Sequence, residues 1–256
     1  MIPRPADAIT DCSLLSVSTT RIVLHPEFHA FANLFNLIMN ISNVFRHPAT
    51  PYVAPFATFL VLTEIGRWIP GSLLWIYPVK TIFAGVLLAW FRRAYFEVKF
   101  VFSWLAIAVG LGVFILWIGM EGYYPLLAKS KSISPYDLVE GIWYGAKVWI
   151  GIRLFGAVVI VPIMEELFWR SFLLRYLINT NFKQVTLGAF SWSSLLWTVL
   201  LFGLEHHRWL AGMGAGFLYT LLLYRTKRLS ACILAHAITN LALGIYVLLT
   251  QQWEYW

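Results

Sequence analysis

Charged residues are scarce in this sequence. Only 12% of its 256 residues are Asp, Glu, Lys or Arg, whereas 60% are hydrophobic and the mean hydropathy is +0.72. A water-soluble domain carries about a quarter charged residues, so a soluble enzyme or binding domain is excluded. Several apolar runs are long enough to cross a hydrocarbon core of roughly 30 Å. The sequence therefore predicts an all-α, polytopic membrane protein.

Cysteine and clustered positive charge are also nearly absent. Cys12 and Cys232 stand far apart without a C-x-x-C pattern, so no disulfide is expected. The net charge of +7 comes from basic residues scattered singly or in short groups, without the stripe that nucleic-acid binding requires. A basic start followed by an apolar run and a small-residue cleavage site is missing, so no cleavable signal is predicted.

Seven apolar segments are predicted to span the membrane as one bundle. They are residues 51–69, 73–91, 100–120, 143–178, 188–206, 209–224 and 229–250. The fourth is too long for one straight crossing, because about 36 residues at 1.5 Å each extend roughly 54 Å. We expect it to protrude, to kink near Pro162, or to split in two, and splitting it would give eight spans.

The first 50 residues are predicted to be an N-terminal extension, weakly structured or interfacial, before a single membrane domain at 51–256. Residues 28–45 are at best an amphipathic interfacial helix or a weak extra span. Met39 shortly precedes the first clear span, so the first 38 residues could be an upstream extension of the reading frame.

Basic residues in the loops predict the orientation. Alternate loops hold eight of them: Arg92, Arg93, Lys99, Arg175, Lys183, Arg225, Lys227 and Arg228. The intervening loops hold Arg67, Lys129, Lys131 and Arg208. Since Lys and Arg are enriched in cytoplasmic loops, seven spans with a cytoplasmic N-terminus and an external C-terminus fit best.

Ionisable and amide side chains interrupt the later spans, where they are costly and by default indicate a site. Glu166 and Arg170 are spaced i, i+4 and are predicted to form an ion pair. Glu165 points about 100° away from Glu166 on a helix and can face a cavity. His236 and Asn240, also spaced i, i+4, share a face of the last helix.

Catalysis requires that these groups meet, and a count of helical rise leaves this open. Measured from the predicted cytoplasmic helix ends, Glu165 lies roughly 20 Å deep and His206 roughly 27 Å, whereas His236 and Asn240 lie at roughly 10 and 16 Å. A tilted or projecting helix would close the gap. Together, a buried carboxylate and an imidazole can activate and orient water, and His236 with Asn240 can donate to an oxyanion. That set predicts amide hydrolysis without an acyl-enzyme.

Three short motifs carry a family resemblance. Glu165-Glu166-xxx-Arg170, Phe202-xxx-His206 and His236-xxx-Asn240 follow in this order on successive spans. Over roughly residues 140–250, the chain resembles the CAAX protease and bacteriocin-processing family of intramembrane proteases.

The resemblance implies roles for these residues. Glu165 and His206 would activate water, His236 and Asn240 would stabilise the oxyanion, and Glu166 with Arg170 would support them. It also implies a helical bundle with its catalytic chamber open toward the cytoplasm, an endopeptidase activity of the CAAX-processing type, and no cofactor.

Other stretches resemble a bacterial subgroup, the CAAX prenyl protease-related proteins found with exosortase protein-sorting systems. They are residues 77–80, 91–95, 202–207 and 221–226. This implies a bacterial inner-membrane protein whose partners are the lipid bilayer, a membrane-anchored protein or peptide substrate, and exosortase components. Two features depart from the pattern: bacteria generally lack prenylated CAAX proteins, and the interval from His206 to His236 leaves room only for a tight hairpin.

Each residue also has a purely structural interpretation. Glu166 with Arg170 could fix helix packing, His236 and Asn240 could join helices by hydrogen bonds, and His206 and His207 could be helix-end residues. Arg153 and Lys80 could snorkel or pair with a carboxylate such as Glu64, and Gly212, Gly214 and Gly216 most simply permit close helix packing.

Three further alternatives concern function. Glu165, His206 and His236 could bind zinc as a two-histidine, one-carboxylate set, although H-E-x-x-H is absent. A non-catalytic membrane partner of an exosortase-type system is the second hypothesis, but a pseudoenzyme would be free to lose one of the four catalytic positions and none is lost. A transporter is a third, without the internal repeat that many transporters show.

Overall fold

The computed structural model describes residues 47–128, 134–138 and 143–256, apart from the side chains of 143 and 144. Residues 48–256 pack into one compact unit. Helices and their connections make up this described part, which contains no strand, so the predicted all-α class is confirmed there. The predictions for residues 28–45, for the first 38 residues and for Cys12 fall outside it.

Seven main helices follow the predicted segments. They are α1 (Thr50–Trp68), α2 (Leu73–Trp90), α3 (Trp104–Gly119), α4 (143–176), α5 (Trp192–Leu204), α6 (Trp209–Thr226) and α7 (Leu229–Thr250). Short helical turns at Arg92–Ala94, Pro135–Leu138, Phe182–Gln184 and Trp253–Tyr255 lie in the connections. The start of α3 is set by Ser103, whose hydroxyl oxygen accepts a hydrogen bond from the Ala106 backbone N–H at 3.2 Å.

Within the part of the chain that the structure describes, three helices are long and apolar enough to cross a membrane: Leu73–Trp90, Gly145–Tyr176 and Leu229–Thr250. Trp104–Gly119 and Trp192–Leu204 are shorter apolar helices. Large apolar side chains also point outward, among them Ile82, Ile115, Leu196 and Leu249. An outward-facing apolar surface is what a bilayer requires. The chain is thus an integral membrane protein, and the total of seven or eight spans stays a prediction.

The long helix α4 neither splits nor stops at Pro162. It contains two wide π-helical stretches, Gly156–Ile160 and Leu167–Leu173, on either side of an α-helical stretch, Val161–Glu166. The first ends two residues before Pro162, which lacks a backbone N–H and cannot continue an ordinary hydrogen-bond ladder. Wide turns of this kind are frequent at functional sites.

Helix α4 lies at the centre of the bundle, in contact with α1, α2, α5 and α7, while α3 packs along α7. Gly110 allows the close approach of α3, because a Cβ there would lie 2.5 Å from the Ala235 carbonyl oxygen. Gly212, Gly214 and Gly216 likewise face side chains or backbone of neighbouring helices, as their predicted packing role requires. Three helices, α4, α5 and α7, therefore bring their inner faces together.

Candidate active site

A cavity of about 200 Å³ lies between the central helices. Its wall includes Glu165 of α4, His206 just after α5, and His236 and Asn240 of α7. The four side chains that the sequence singled out as catalytic candidates therefore lie around one space. Their roles are a separate question from this convergence.

The helix bounds account for much of the depth mismatch. Helix α5 begins at Trp192, four residues after the predicted start of its span. His206 is then 14 residues from the helix start, or roughly 21 Å, while Glu165 is 11 residues from the end of α4, or roughly 16 Å. The remaining difference in depth between His206 and Glu165 is small enough for their side chains to bridge.

Glu166 has two partners and no exposure to solvent. Its Oε1 accepts from Arg170 Nη1 at 3.1 Å, the ion pair predicted from the i, i+4 spacing, and from His236 Nδ1 at 2.9 Å. Arg170 is also fully buried and donates from Nη2 to the Gly216 carbonyl oxygen at 3.3 Å. The carboxylate is therefore compensated inside the bundle, where an unpaired charge would be very costly.

Glu165 has different surroundings. It is 6% exposed, and its Oε2 has no hydrogen-bond partner in the described part of the chain. Glu165 borders the cavity, whereas Arg170 lies against Glu166. A buried oxygen without a partner is uncommon in native proteins. Among the described residues Glu166 Oε2 also lacks one, so the position of Glu165 at the cavity is what distinguishes the two residues.

His206 is held in one orientation. Its Nδ1 donates to the Phe202 carbonyl oxygen at 2.8 Å, and the Trp117 ring packs edge-on against the imidazole at 5.4 Å. With the proton on Nδ1, the neutral ring leaves Nε2 as an acceptor. The spacing Phe202-xxx-His206 thus has a physical meaning, because the carbonyl one turn earlier fixes the imidazole.

Asn240 is positioned by the first wide turn of α4. In that turn the Val161 N–H donates to the Gly156 carbonyl, five residues back, instead of to Ala157. The Ala157 carbonyl then accepts from Asn240 Nδ2 at 2.7 Å. One N–H of the amide fixes the side chain, and the other remains available to the cavity.

Sequence reasoning missed the residues that hold His236. The Tyr219 ring stacks on the imidazole at 5.2 Å, and its hydroxyl donates to Thr239 Oγ1 at 2.7 Å. Thr239 in turn lies 2.8 Å from the Gly110 carbonyl oxygen of α3. No spacing rule connects residues so far apart in sequence, so the pattern gave no signal for this support.

Arg153 and Lys80 do not pair with Glu64, which forms an exposed ion pair with Arg67 at 2.8 Å. Lys80 donates to Thr63 Oγ1 at 2.8 Å. The Arg153 guanidinium lies over the Tyr77 ring, 4.5 Å from its centroid, and borders the cavity. The suggested pairing with Glu64 is therefore wrong, because the arginine one turn away occupies that carboxylate.

A second cavity of about 910 Å³ adjoins the first. Residues that line both cavities are Tyr77, Trp117, Arg153, His206, Tyr255 and Trp256. The first cavity is here called the inner cavity and the second the outer cavity. The outer cavity is also lined by His207 and by Glu205, which the sequence reasoning did not consider. Partial burial, with Arg67 and Arg208 nearby, lowers the pKa of His207, which lies between the helices α5 and α6.

Glu165, His206 and His236 border the inner cavity without forming a ligand set. Within the described ranges, no three His, Cys, Asp or Glu side chains come together as metal ligands would. Cys232 is a buried free thiol that donates to the Tyr219 carbonyl oxygen at 3.3 Å.

One comparison with known proteins gives a match. A family model described as type II CAAX prenyl endopeptidase Rce1-like matches residues 147–242, less than half of the chain but including all six site residues. The match supports the resemblance to the CAAX protease family and supports a peptidase that works on protein substrates in a membrane. Neither a curated protein nor a solved structure shows significant similarity to the chain.

Proposed function

We propose that this chain is an intramembrane endopeptidase that hydrolyses peptide bonds of membrane-associated proteins with a water activated by Glu165. The observation that supports it is the cavity shared by Glu165, His206, His236 and Asn240. The family match at residues 147–242 supports the same reaction class. Glu165 is the better base of the two adjacent carboxylates, because Glu166 is taken up by Arg170 and His236.

In the proposed reaction, Glu165 takes a proton from a water molecule that His206 Nε2 orients as an acceptor. The water oxygen attacks the carbonyl carbon of the scissile amide, and the carbonyl π electrons move to oxygen. Glu165 then returns the proton to the amide nitrogen, the C–N bond breaks, and the products are a carboxylic acid and an amine. General acid–base catalysis of this kind contributes about 10²- to 10⁴-fold.

The oxyanion of the tetrahedral intermediate would lie against Asn240 and His236. Asn240 has one N–H left after its bond to Ala157. If His236 also donates, from Nε2, it carries both ring protons, and Glu166 at Nδ1 compensates the positive charge. Donors that are already fixed before the charge develops are the most effective ones.

The test is hydrolysis of peptides by the full chain in proteoliposomes, with CAAX-type peptides as the probe. Glu165→Gln should lower kcat by at least about 10²-fold, because the amide keeps the shape but cannot take the proton. Glu64→Gln is the matched control, an exposed carboxylate that lines neither cavity, and it should leave the rate unchanged. Undiminished hydrolysis by Glu165→Gln would remove the mechanism.

Chelation tests the proposal that no metal takes part. A strong chelator should leave the rate of the unmodified chain unchanged. Complete loss of activity that zinc restores would instead favour a metal bound by Glu165, His206 and His236.

The narrower proposal places the protein in a bacterial inner membrane beside an exosortase-type system. It rests on the sequence stretches at residues 77–80, 91–95, 202–207 and 221–226. Comparing prenylated and unprenylated versions of one peptide would test the need for a lipid. Equal rates for both would fit a bacterial substrate, and cleavage of the prenylated form alone would contradict it.

A further inference from the structure

The helices alternate in direction, so the bundle has two distinct ends. The first, here called the basic end, contains the connections after α2, α4 and α6. The second, here called the opposite end, contains the connections after α1, α3 and α5 and the segment after α7. All eight basic residues of the first loop set belong to the basic end or to the last helical turns beside it.

Both cavities lie toward the opposite end. The outer cavity is lined by residues of all three connections there and of the segment after α7: Ile69 to Ser72, Ala128 with Pro135 and Leu138, Glu205 to Arg208, and Trp253 to Trp256. It borders the inner cavity through shared residues such as His206 and Arg153. Among the described residues, no member of a loop at the basic end lines either cavity.

The basic end is closed by contacts among its own residues. Glu97 Oε1 accepts from Arg175 Nη2 at 3.2 Å, and Glu97 also accepts from the hydroxyl of Tyr52. Between this network and Glu165, the Phe56 and Phe168 rings stack at 4.1 Å. A substrate that reached Glu165 from the basic end would have to displace this packing.

We propose that the catalytic cavity opens on the non-cytoplasmic side of the membrane and takes peptide segments that have already been exported. The proposal rests on the proposed function and on the charges of the loops and adjoining helical turns, eight Lys and Arg at the basic end against five at the opposite end, Arg67, Lys129, Lys131, Lys147 and Arg208. That asymmetry places the basic end in the cytoplasm. The direction is the reverse of the cytoplasmic opening that the family resemblance implies.

The proposed substrate follows from this direction. It is a membrane-anchored protein whose extracytoplasmic segment, in extended form, enters between α1, α5 and the Trp253–Tyr255 turn. An outer space of about 910 Å³ accommodates several residues of such a segment. The segment would pass aromatic side chains, including Trp149, Trp253 and Trp256, before it reaches Glu165.

Sidedness can be measured without any peptidase activity. Single cysteines are introduced into the full chain after Cys12→Ser and Cys232→Ala, at Tyr123→Cys in the opposite end, Asn181→Cys in the basic end, and Leu243→Cys in the inner cavity. None of the three positions is one of the eight basic residues counted above, so the substitutions leave the charge difference between the two ends unchanged. A membrane-impermeant maleimide is applied to sealed right-side-out and inverted vesicles.

We expect Tyr123→Cys and Leu243→Cys to react in right-side-out vesicles, and Asn181→Cys to react in inverted ones. The reverse pattern, or equal labelling in both vesicle types, would overturn the proposal. Leu243→Cys labelled only from the Asn181 side would also overturn it, because the cavity would then open through the basic end. Labelling as expected with no peptide cleavage under any condition would count against the proposed function alone.

Discussion

The two adjacent carboxylates of α4 have opposite surroundings. Glu166 is fully buried, with Arg170 at 3.1 Å and His236 at 2.9 Å. Glu165 borders a cavity and, among the described residues, forms no ion pair, although each of the two carboxylates has one buried oxygen without a hydrogen-bond partner. An ionisable group inside a membrane bundle can therefore be accommodated in two ways, by direct pairing or by a position at the wall of a cavity. Pairing serves stability, whereas an unpaired group at a cavity is available for chemistry.

The largest expected effect on stability comes from removing the partner of Glu166. Arg170→Met should lower the free energy of unfolding by about 3–5 kcal/mol, because it leaves a buried carboxylate without its cation. Equilibrium unfolding in mixed detergent micelles measures this difference. Glu165→Gln, one position away from Glu166, should lower the same quantity by clearly less than Arg170→Met does, since it removes no ion pair. Equal losses in both variants would show that the two carboxylates do not differ as described.

Removing the second partner of Glu166 should have an intermediate effect. His236→Leu deletes a hydrogen bond to a charged group, which is worth about 1.5–3 kcal/mol. His207→Leu is the matched control, because His207 is exposed and outside the helices. The same unfolding measurement applies, and a similar loss for both histidines would contradict the contact to Glu166 as the cause.

The sequence predicts well where the helices lie and that Glu166 pairs with Arg170. Apolar periodicity places the seven helices within a few residues, and the i, i+4 rule identifies Glu166 and Arg170 as a pair. Both inferences rest on local geometry, which a sequence encodes directly. That Glu165 can face a cavity also follows from the helical repeat.

The positions of His236 and Asn240 depend on contacts between segments that are far apart in the sequence. His236 meets Glu166 across 70 positions, and Asn240 meets Ala157 across 83. The second contact exists only because a wide turn in α4 frees the Ala157 carbonyl, and Pro162 alone predicts a kink without specifying that turn. Convergence could not be decided by counting helical rise, because the count started from predicted helix ends and α5 begins four residues later than predicted.

A smaller effect is expected where α3 approaches the helix that carries both His236 and Asn240. Gly110→Ala would place a methyl group 2.5 Å from the Ala235 carbonyl oxygen and should cost about 1–3 kcal/mol of unfolding free energy. Hydrolysis should fall as well, because α7 presents His236 to Glu166 and Asn240 to the cavity. Gly112→Ala is the control in the same helix, since nothing lies within 4 Å of its added Cβ. Alanine is the better helix former, so Gly112→Ala should not lose stability, and equal losses in both variants would contradict the contact with Ala235 as the cause.

The smallest effect should come from an ion pair of the same chemistry in a different place. Glu64 and Arg67 lie 2.8 Å apart, a shorter distance than that between Glu166 and Arg170, but their side chains are 56% and 59% exposed. Water and salt screen such a pair, so Arg67→Met should change the free energy of unfolding by about 0–1 kcal/mol, and less at high ionic strength. A loss as large as that of Arg170→Met would mean that distance rather than burial decides the strength of these pairs. The stabilising role of Glu166 would then no longer follow from its position inside the bundle.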